Sequence, residues 1–260
     1  PMNSISQTLR ALMLTAFAAL TTTTLSAQSD IADAPRWQHE ARIGFHLGGA
    51  TPIPMPQEIR EIKSFRPTMA IPLEYVLTRW SDSNPHWGLS TGLKIGNEGM
   101  ITKARTKNYH TEVTGDEGER VAGYWTGDVE TKATATRLTL PVMLAYRPNR
   151  NWTFRAGVYA SLFLEKEFSG KVYDGYLREL TPLGQKTVFA DGRYSNYDFS
   201  SSVRNFHYGA RLGASLRVYK KWHVFTDLSF DLNELFEGDF HTVSFDLRPI
   251  YLYTGVSYAF

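Results

Sequence analysis

Between Thr136 and Glu165 the chain reads TRLTLPVMLAYRPNRNWTFRAGVYASLFLE, and its side chains alternate with a period of two. In the first arm Leu138, Leu140, Val142, Leu144 and Tyr146 share one face, while Arg137, Thr139, Pro141, Met143, Ala145 and Arg147 share the other. Pro148 to Asn151 supplies residues suited to a turn. Beyond it Phe154, Ala156, Val158, Ala160, Leu162 and Leu164 fall on one side, and Arg155, Gly157, Tyr159, Ser161, Phe163 and Glu165 on the other. A period of two is that of a β-strand. Each arm has about the 9–11 residues that cross a bilayer as a tilted strand, apolar outward and polar or small inward. The stretch therefore predicts a transmembrane β-hairpin.

The same pattern recurs along the chain. Strands are predicted at Trp37 to Gly48, Thr68 to Arg79, from Trp87 to Gly96, over the two arms of the hairpin, at Phe206 to Val218, at Trp222 to Asn233, and over the final segment through Ile250 to Phe260. Thr51 to Pro67 carries several prolines and mixed charges and reads as a loop with a helical turn at Gln57 to Lys63. Asn97 to Lys132 and Lys166 to Arg204 are long polar excursions, the first extending its hairpin above the membrane. Eight strands have the even parity of a bacterial outer-membrane barrel. The expectation is an all-β fold, an eight-stranded antiparallel transmembrane up-and-down β-barrel over residues 37–260, with short periplasmic turns and long extracellular loops.

Connection lengths and aromatic placement agree with closure. Ser81 to His86, Pro148 to Asn151 and Tyr219 to Lys221 are short, and the connections between them are long. Trp37, Trp80, Trp87, Trp152 and Trp222 lie at the short-turn ends, joined by Tyr146, Tyr219 and Phe260, which predicts an aromatic girdle at the periplasmic interface. A soluble β-sandwich or lipocalin-like barrel would bury tryptophan in its core instead of segregating it at one end.

Composition narrows the setting. Mean hydropathy of -0.31 and 21% charged residues fit a barrel with polar loops and lumen as well as a soluble domain. The sequence has no cysteine, which excludes disulfides and thiol chemistry, and its formal charge of +2 does not suggest a nucleic-acid partner. Arg10, the apolar run Ala11 to Leu20 and Leu25-Ser26-Ala27 before Gln28 have the three-part form of a secretory signal. Residues 1–27 are therefore expected to be removed between Ala27 and Gln28, leaving a periplasmic leader over 28–36 and an outer-membrane location.

The central hairpin with its continuation, LTLPVMLAYRPNRNWTFRAGVYASLFLEKEFSGKVYDGYLREL, and the closing VSFDLRPIYLYTGVSYAF resemble the PorT-like outer-membrane β-barrel proteins of Bacteroidota. The strand–Pro–apolar–Tyr pattern around Pro141 and the GVYASLF segment carry the likeness. It implies an eight-stranded barrel in the outer membrane and brings no catalytic motif; the family's namesake assists a protein-secretion system.

Parity places Glu40, Arg42, Glu74, Lys94, Arg137, Arg155, Glu165, Arg211, Arg217, Asp227 and Asp231 in the lumen. An eight-stranded barrel has room only for side chains there, and charges away from water need partners. Hairpin geometry brings Arg211 beside Asp231 and Asp227, so a plugged, ion-paired lumen is expected, with a narrow polar channel as the alternative. No spacing assembles a Ser/His/Asp set from His207, Ser200 to Ser202, His241, Ser244 and Asp239, so neither an enzyme nor a cofactor is expected. Asp116, Glu117 and Glu119 read as a solvated acidic tip. Phe168, Tyr173, Tyr176, Tyr194 and Tyr197 lie in aromatic-rich extracellular loops suited to a protein partner, while lipid and lipopolysaccharide surround the belt. Pro72, Pro141 and Pro249 fall inside predicted strands and face the lumen, where bulges or bends are expected.

Overall fold

A computed structural model describes residues 35–68, 70–114, 120–179, 181–238, 240, 242–243 and 245–260. The predicted signal segment and its Ala27–Gln28 junction, most of the leader, the acidic tip at 116, 117 and 119, and Asp239, His241 and Ser244 lie outside the described residues. Ten strands follow in order: β1 (Trp37–Pro52), β2 (Ile59–Pro67), β3 (Leu73–Trp80), β4 (Trp87–Thr114), β5 (Arg120–Tyr146), β6 (Trp152–Glu179), β7 (Lys186–Asp198), β8 (Phe206–Tyr219), β9 (Trp222–Asp231) and β10 (Leu247–Ala259). Eight of them close into an antiparallel ring, β1-β3-β4-β5-β6-β8-β9-β10, with β10 returning to β1. Closure matters because an unpaired backbone group in lipid costs several kcal/mol, roughly, and a ring leaves no edge.

The alternation decides which face meets lipid. Ile43, Phe45 and Leu47 on β1, Leu89, Leu93 and Ile95 on β4, and Leu140, Val142 and Leu144 on β5 are exposed, whereas Arg42, Ser90 and Thr139 between them are buried. Such a belt is far larger than the apolar patches a soluble monomer carries. At the short-turn end Asn149 shapes the β5–β6 connection: its Oδ1 accepts hydrogen bonds from the backbone N–H of Asn151 (2.9 Å) and Trp152 (3.0 Å), the local bonding that suits Asn to turns.

The long-strand end is built differently from the expected loops. β4, β5 and β6 run for 28, 27 and 28 residues, and only about 9–11 residues are needed to cross. At about 3.3 Å per residue the remainder continues for on the order of 50 Å along each tilted strand. There β2 pairs with β4 and β7 with β6, giving an extended sheet β2-β4-β5-β6-β7. Its concave side encloses a second core with Trp125, Val129, Phe168, Val172, Leu177 and Tyr197, closed from the β9–β10 connection by Leu235 and Phe236.

Four local expectations are corrected. Of the helical turn expected at Gln57 to Lys63 only a tight turn through Gln57 and Glu58 is present, and from Ile59 on the chain is strand β2; two register shifts, Ile59/Glu61 and Ile62/Ser64, bring Ile59, Ile62 and Phe65 to one side, so a helix-like spacing arises from bulges. The second ring strand begins at Leu73, which leaves Pro72 before it and not inside it. Pro141 and Pro249 do sit within strands, but neither is a bulge. The β4–β5 register is the same on both sides of Pro141, with pairs Thr91↔Val142 and Lys94↔Thr139, and the Pro141 carbonyl accepts from Thr91 Oγ1 at 3.0 Å. The β1–β10 register likewise runs unbroken through Ala50↔Pro249.

Candidate functional site

The lumen is filled by ionisable side chains from seven of the eight ring strands. At one level β1 supplies Glu40 and Arg42, β3 Glu74, β6 Arg155, β8 Arg211 and β9 Asp227. Arg42 Nε is 2.8 Å from Glu40, and its Nη1 is 2.9 Å from Asp227 and 3.6 Å from Glu74. Arg211 grips Glu74 with both Nη atoms, at 2.6 and 2.8 Å, and Asp227 at 2.5 Å, the fork-to-carboxylate geometry that only arginine offers. Arg155 donates to Glu40 at 2.8 Å. Room for this comes from Gly213, where a Cβ would stand 1.8 Å from Asp227 Oδ1.

A second level lies nearer the long strands. Arg137 Nη2 is 2.7 and 2.6 Å from the two oxygens of Asp231, its Nη1 is 3.0 Å from Glu98, and its Nε donates to Ser161 Oγ at 2.9 Å. The Tyr159 hydroxyl also donates to Asp231. His207 Nδ1 stands 3.1 Å from Asp231 Oδ2 while its Nε2 lies 3.1 Å from the Arg204 carbonyl. Lys94 is 3.2 Å from His46 Nε2 and 5.4 Å from the Tyr253 ring centre. Among the described residues, buried Arg42, Lys94, Arg137, Arg155 and Arg211 face buried Glu40, Glu74, Glu98, Asp227 and Asp231. Balanced charge with shared hydrogen bonds is what makes such burial tolerable.

Nine of the eleven residues expected in the lumen are buried there: Glu40, Arg42, Glu74, Lys94, Arg137, Arg155, Arg211, Asp227 and Asp231. Glu165 is not. A register shift between Thr136↔Glu165 and Arg137↔Phe163 leaves Leu164 as an extra residue and inverts the parity of β6 beyond it, so Glu165 is exposed and accepts from Thr136 Oγ1 at 3.1 Å. Arg217 has lumen parity but stands exposed at the short-turn mouth. Glu98 was missed, although the inward parity of Lys94 and Gly96 continues straight to it.

The expected girdle splits in the same way. Trp37, Trp87, Tyr146, Trp152, Tyr219, Trp222 and Phe260 are exposed at the short-turn end, with Trp87 and Tyr146 ring centres 4.6 Å apart. Trp80 is 1% exposed and faces inward, against its expected place in the girdle. Its indole N–H donates to Gln38 at 3.1 Å, the Arg147 guanidinium lies 3.9 Å from its ring centre, and together they stopper the short-turn mouth. Tyr258, 5.1 Å from Trp222, joins the girdle unforeseen.

The aromatic loop is strand. Phe168 and Tyr197 are buried in the second core and present nothing to a partner, while Tyr194 is exposed and Tyr173 and Tyr176 are half-buried. Burial pushes the Tyr197 phenol well above its usual range. On the convex side Asp128 binds β2 to the sheet, 2.5 Å from Lys63 and 2.9 Å from Arg105. Partial burial opposes ionisation of Asp128, but the hydrogen bonds from Arg105 and Lys63 outweigh it and hold the carboxyl below the usual range.

Solved structures with a similar trace share little sequence. Ail, the attachment invasion locus protein of Yersinia pestis, is 10% identical, with 87% of this chain and 100% of that one covered and a TM-score of 0.39. Its complex with the heparin analogue sucrose octasulfate gives 9% and 0.38 at the same coverage. OprG from Pseudomonas aeruginosa is 12% identical, with 89% and 99% covered and a TM-score of 0.37. No curated protein matches the sequence. The model of the outer membrane protein beta-barrel domain matches residues 26–237, most of the chain, and with the closed ring and its apolar belt in place the protein belongs to that family of outer-membrane barrels.

Proposed function

We propose that this protein is a closed-lumen barrel that acts outside the membrane, as a structural or interaction protein presenting its extended sheet at the cell surface. The observation that carries this reading is the lumen itself: two levels of ion pairs, stoppered at one end by Trp80 and Arg147 and overlain at the other by the second core. Such a packing of the described residues leaves little room for solutes to pass, whereas the sheet β2-β4-β5-β6-β7 offers a broad surface. Within the same proposal the chain falls in the PorT-like branch, its signal is cleaved between Ala27 and Gln28, and its role is accessory to secretion or surface assembly. The quoted hairpin and closing-strand motifs support that placement.

Single-channel recording of the purified protein in planar bilayers is the direct test. The expected trace is flat, and a stable, discrete conductance would overturn the closed lumen in favour of a small channel. For the surface role, crosslinking in intact cells followed by pull-down is compared between the wild type and a deletion of Tyr173 to Leu183, which removes the end of β6 and part of its connection to β7. Loss of partners is expected, and an unchanged set would sink the interaction reading. N-terminal sequencing of the mature protein should begin at Gln28.

A further inference from the structure

The concave side of the extended sheet holds a cleft of about 210 Å³ between β2, β4 and the ends of β1 and β10. Met55, Ile62, Phe65, Met100, Tyr109 and Phe245 form its apolar wall. Met55, Ile62 and Phe65 are about half-exposed, at 55%, 51% and 49%, so the wall is open on the β2 side. Ala50 and Phe168 line the cleft on its membrane side and also border a small void of about 20 Å³ beside Glu98 and Tyr251. Among the described residues the cleft is walled off from the lumen side and open along β2.

Its four threonine hydroxyls already hydrogen-bond within the protein. No charged side chain lines it. Thr51 Oγ1 donates to the Gly49 carbonyl at 3.4 Å, Thr102 Oγ1 to Met100 Sδ at 3.5 Å and Thr106 Oγ1 to the Gly127 carbonyl at 3.4 Å, and Thr131 shares a hydrogen bond with the Tyr197 hydroxyl at 2.6 Å. A charged ligand would find no opposite charge on the lining residues to replace its hydration. A neutral apolar one loses nothing and removes Met55, Ile62 and Phe65 from water. Size sets the rest. An apolar protein cavity of about 150 Å³ admits a benzene ring, so about 210 Å³ suits a single ring with a short substituent, and thioether and ring edges are favourable contacts for such a molecule.

We propose that this cleft is a binding site for a neutral, apolar small molecule of about the size of a substituted single ring, taken up from outside the cell. The Met side chains report on it. Protein labelled with 13C at the methionine methyls and held in lipid nanodiscs is titrated with toluene, with Met143, buried in the lumen, as an internal reference. The expected result is a saturable shift of the Met55 and Met100 signals with Met143 unmoved, and loss of that shift in Ala104→Phe, which fills the cleft. A response that rises without saturating is partition into lipid and would overturn the site, as would an unmoved Met55 and Met100. If Ala104→Phe does not fold, the wild-type titration decides alone.

Discussion

Arg137 and Asp231, 94 residues apart in sequence, meet across the lumen with one guanidinium nitrogen 2.7 and 2.6 Å from the two carboxylate oxygens. Arg137 is also the link from Asp231 to Glu98. Replacing it by alanine strands two carboxylates in a closed interior, where loss of one partner of a buried pair costs about 3–5 kcal/mol. The unfolding midpoint of the Arg137→Ala barrel in urea, followed by its gel mobility, should fall accordingly. The double variant Arg137→Met with Asp231→Asn should recover much of the loss. An unchanged midpoint in the single variant would show that water reaches this level.

Glu98 and Glu165 make a contrasting pair. Glu98→Gln takes the carboxylate from Arg137, and weakening a charge-assisted buried bond costs about 1–3 kcal/mol. Glu165→Gln lies on the exposed face beyond the parity change and should stay within about 0.5 kcal/mol of wild type. The same urea titration on both variants checks the order; the reverse order would mean that the register shift at Leu164 is misplaced.

Gly213 leaves the space Asp227 occupies, so Gly213→Ala pushes that carboxylate off Arg42 and Arg211. Overpacking of this kind costs about 1–3 kcal/mol. Gly238, with nothing near a would-be Cβ, is the control: Gly238→Ala should leave the midpoint where it was.

The Asp128 clamp should make β2 docking depend on pH. Its carboxyl is held below the ordinary 3.8, so its contribution is present above that value and is lost as pH falls through the lower value of the folded state. Amide hydrogen exchange over Ile59 to Pro67, corrected for intrinsic rates, should be slow at neutral pH and accelerate on acidification below about 4. Asp128→Asn should make it fast at both. Exchange insensitive to pH in the wild type would remove Asp128 from this role.

Most of the fold was legible because alternation is a local property. Whether Leu140 faces lipid depends only on the parity of its own strand, and the Pro and Asn residues of 148–151 announce their turn without reference to anything distant. Parity also carried most of the lumen set, and it failed where one residue changed the count: Leu164 inverted β6 and moved Glu165 outside. It failed for Trp80 in a different way, since position at a strand end suggested the girdle while its own parity pointed inward. The aromatic stretch around Phe168 and Tyr197 looked like a loop because a sheet above the membrane, apolar only on its concave side, mixes polar and aromatic residues as a binding loop does.

The sequence by itself determined an eight-stranded membrane barrel, which end carries the aromatic girdle, and most of the charges that turn inward, since each follows from spacing along one strand. Only the tertiary structure decided which charge meets which. Sequence spacing left Arg211 within reach of both Asp227 and Asp231; closure of the ring set it on Asp227 and Glu74, because Asp231 is held by Arg137 on β5 and by Tyr159 on β6. Partners 94 and 137 residues apart are brought together by the circumference of the barrel, a quantity no single strand contains.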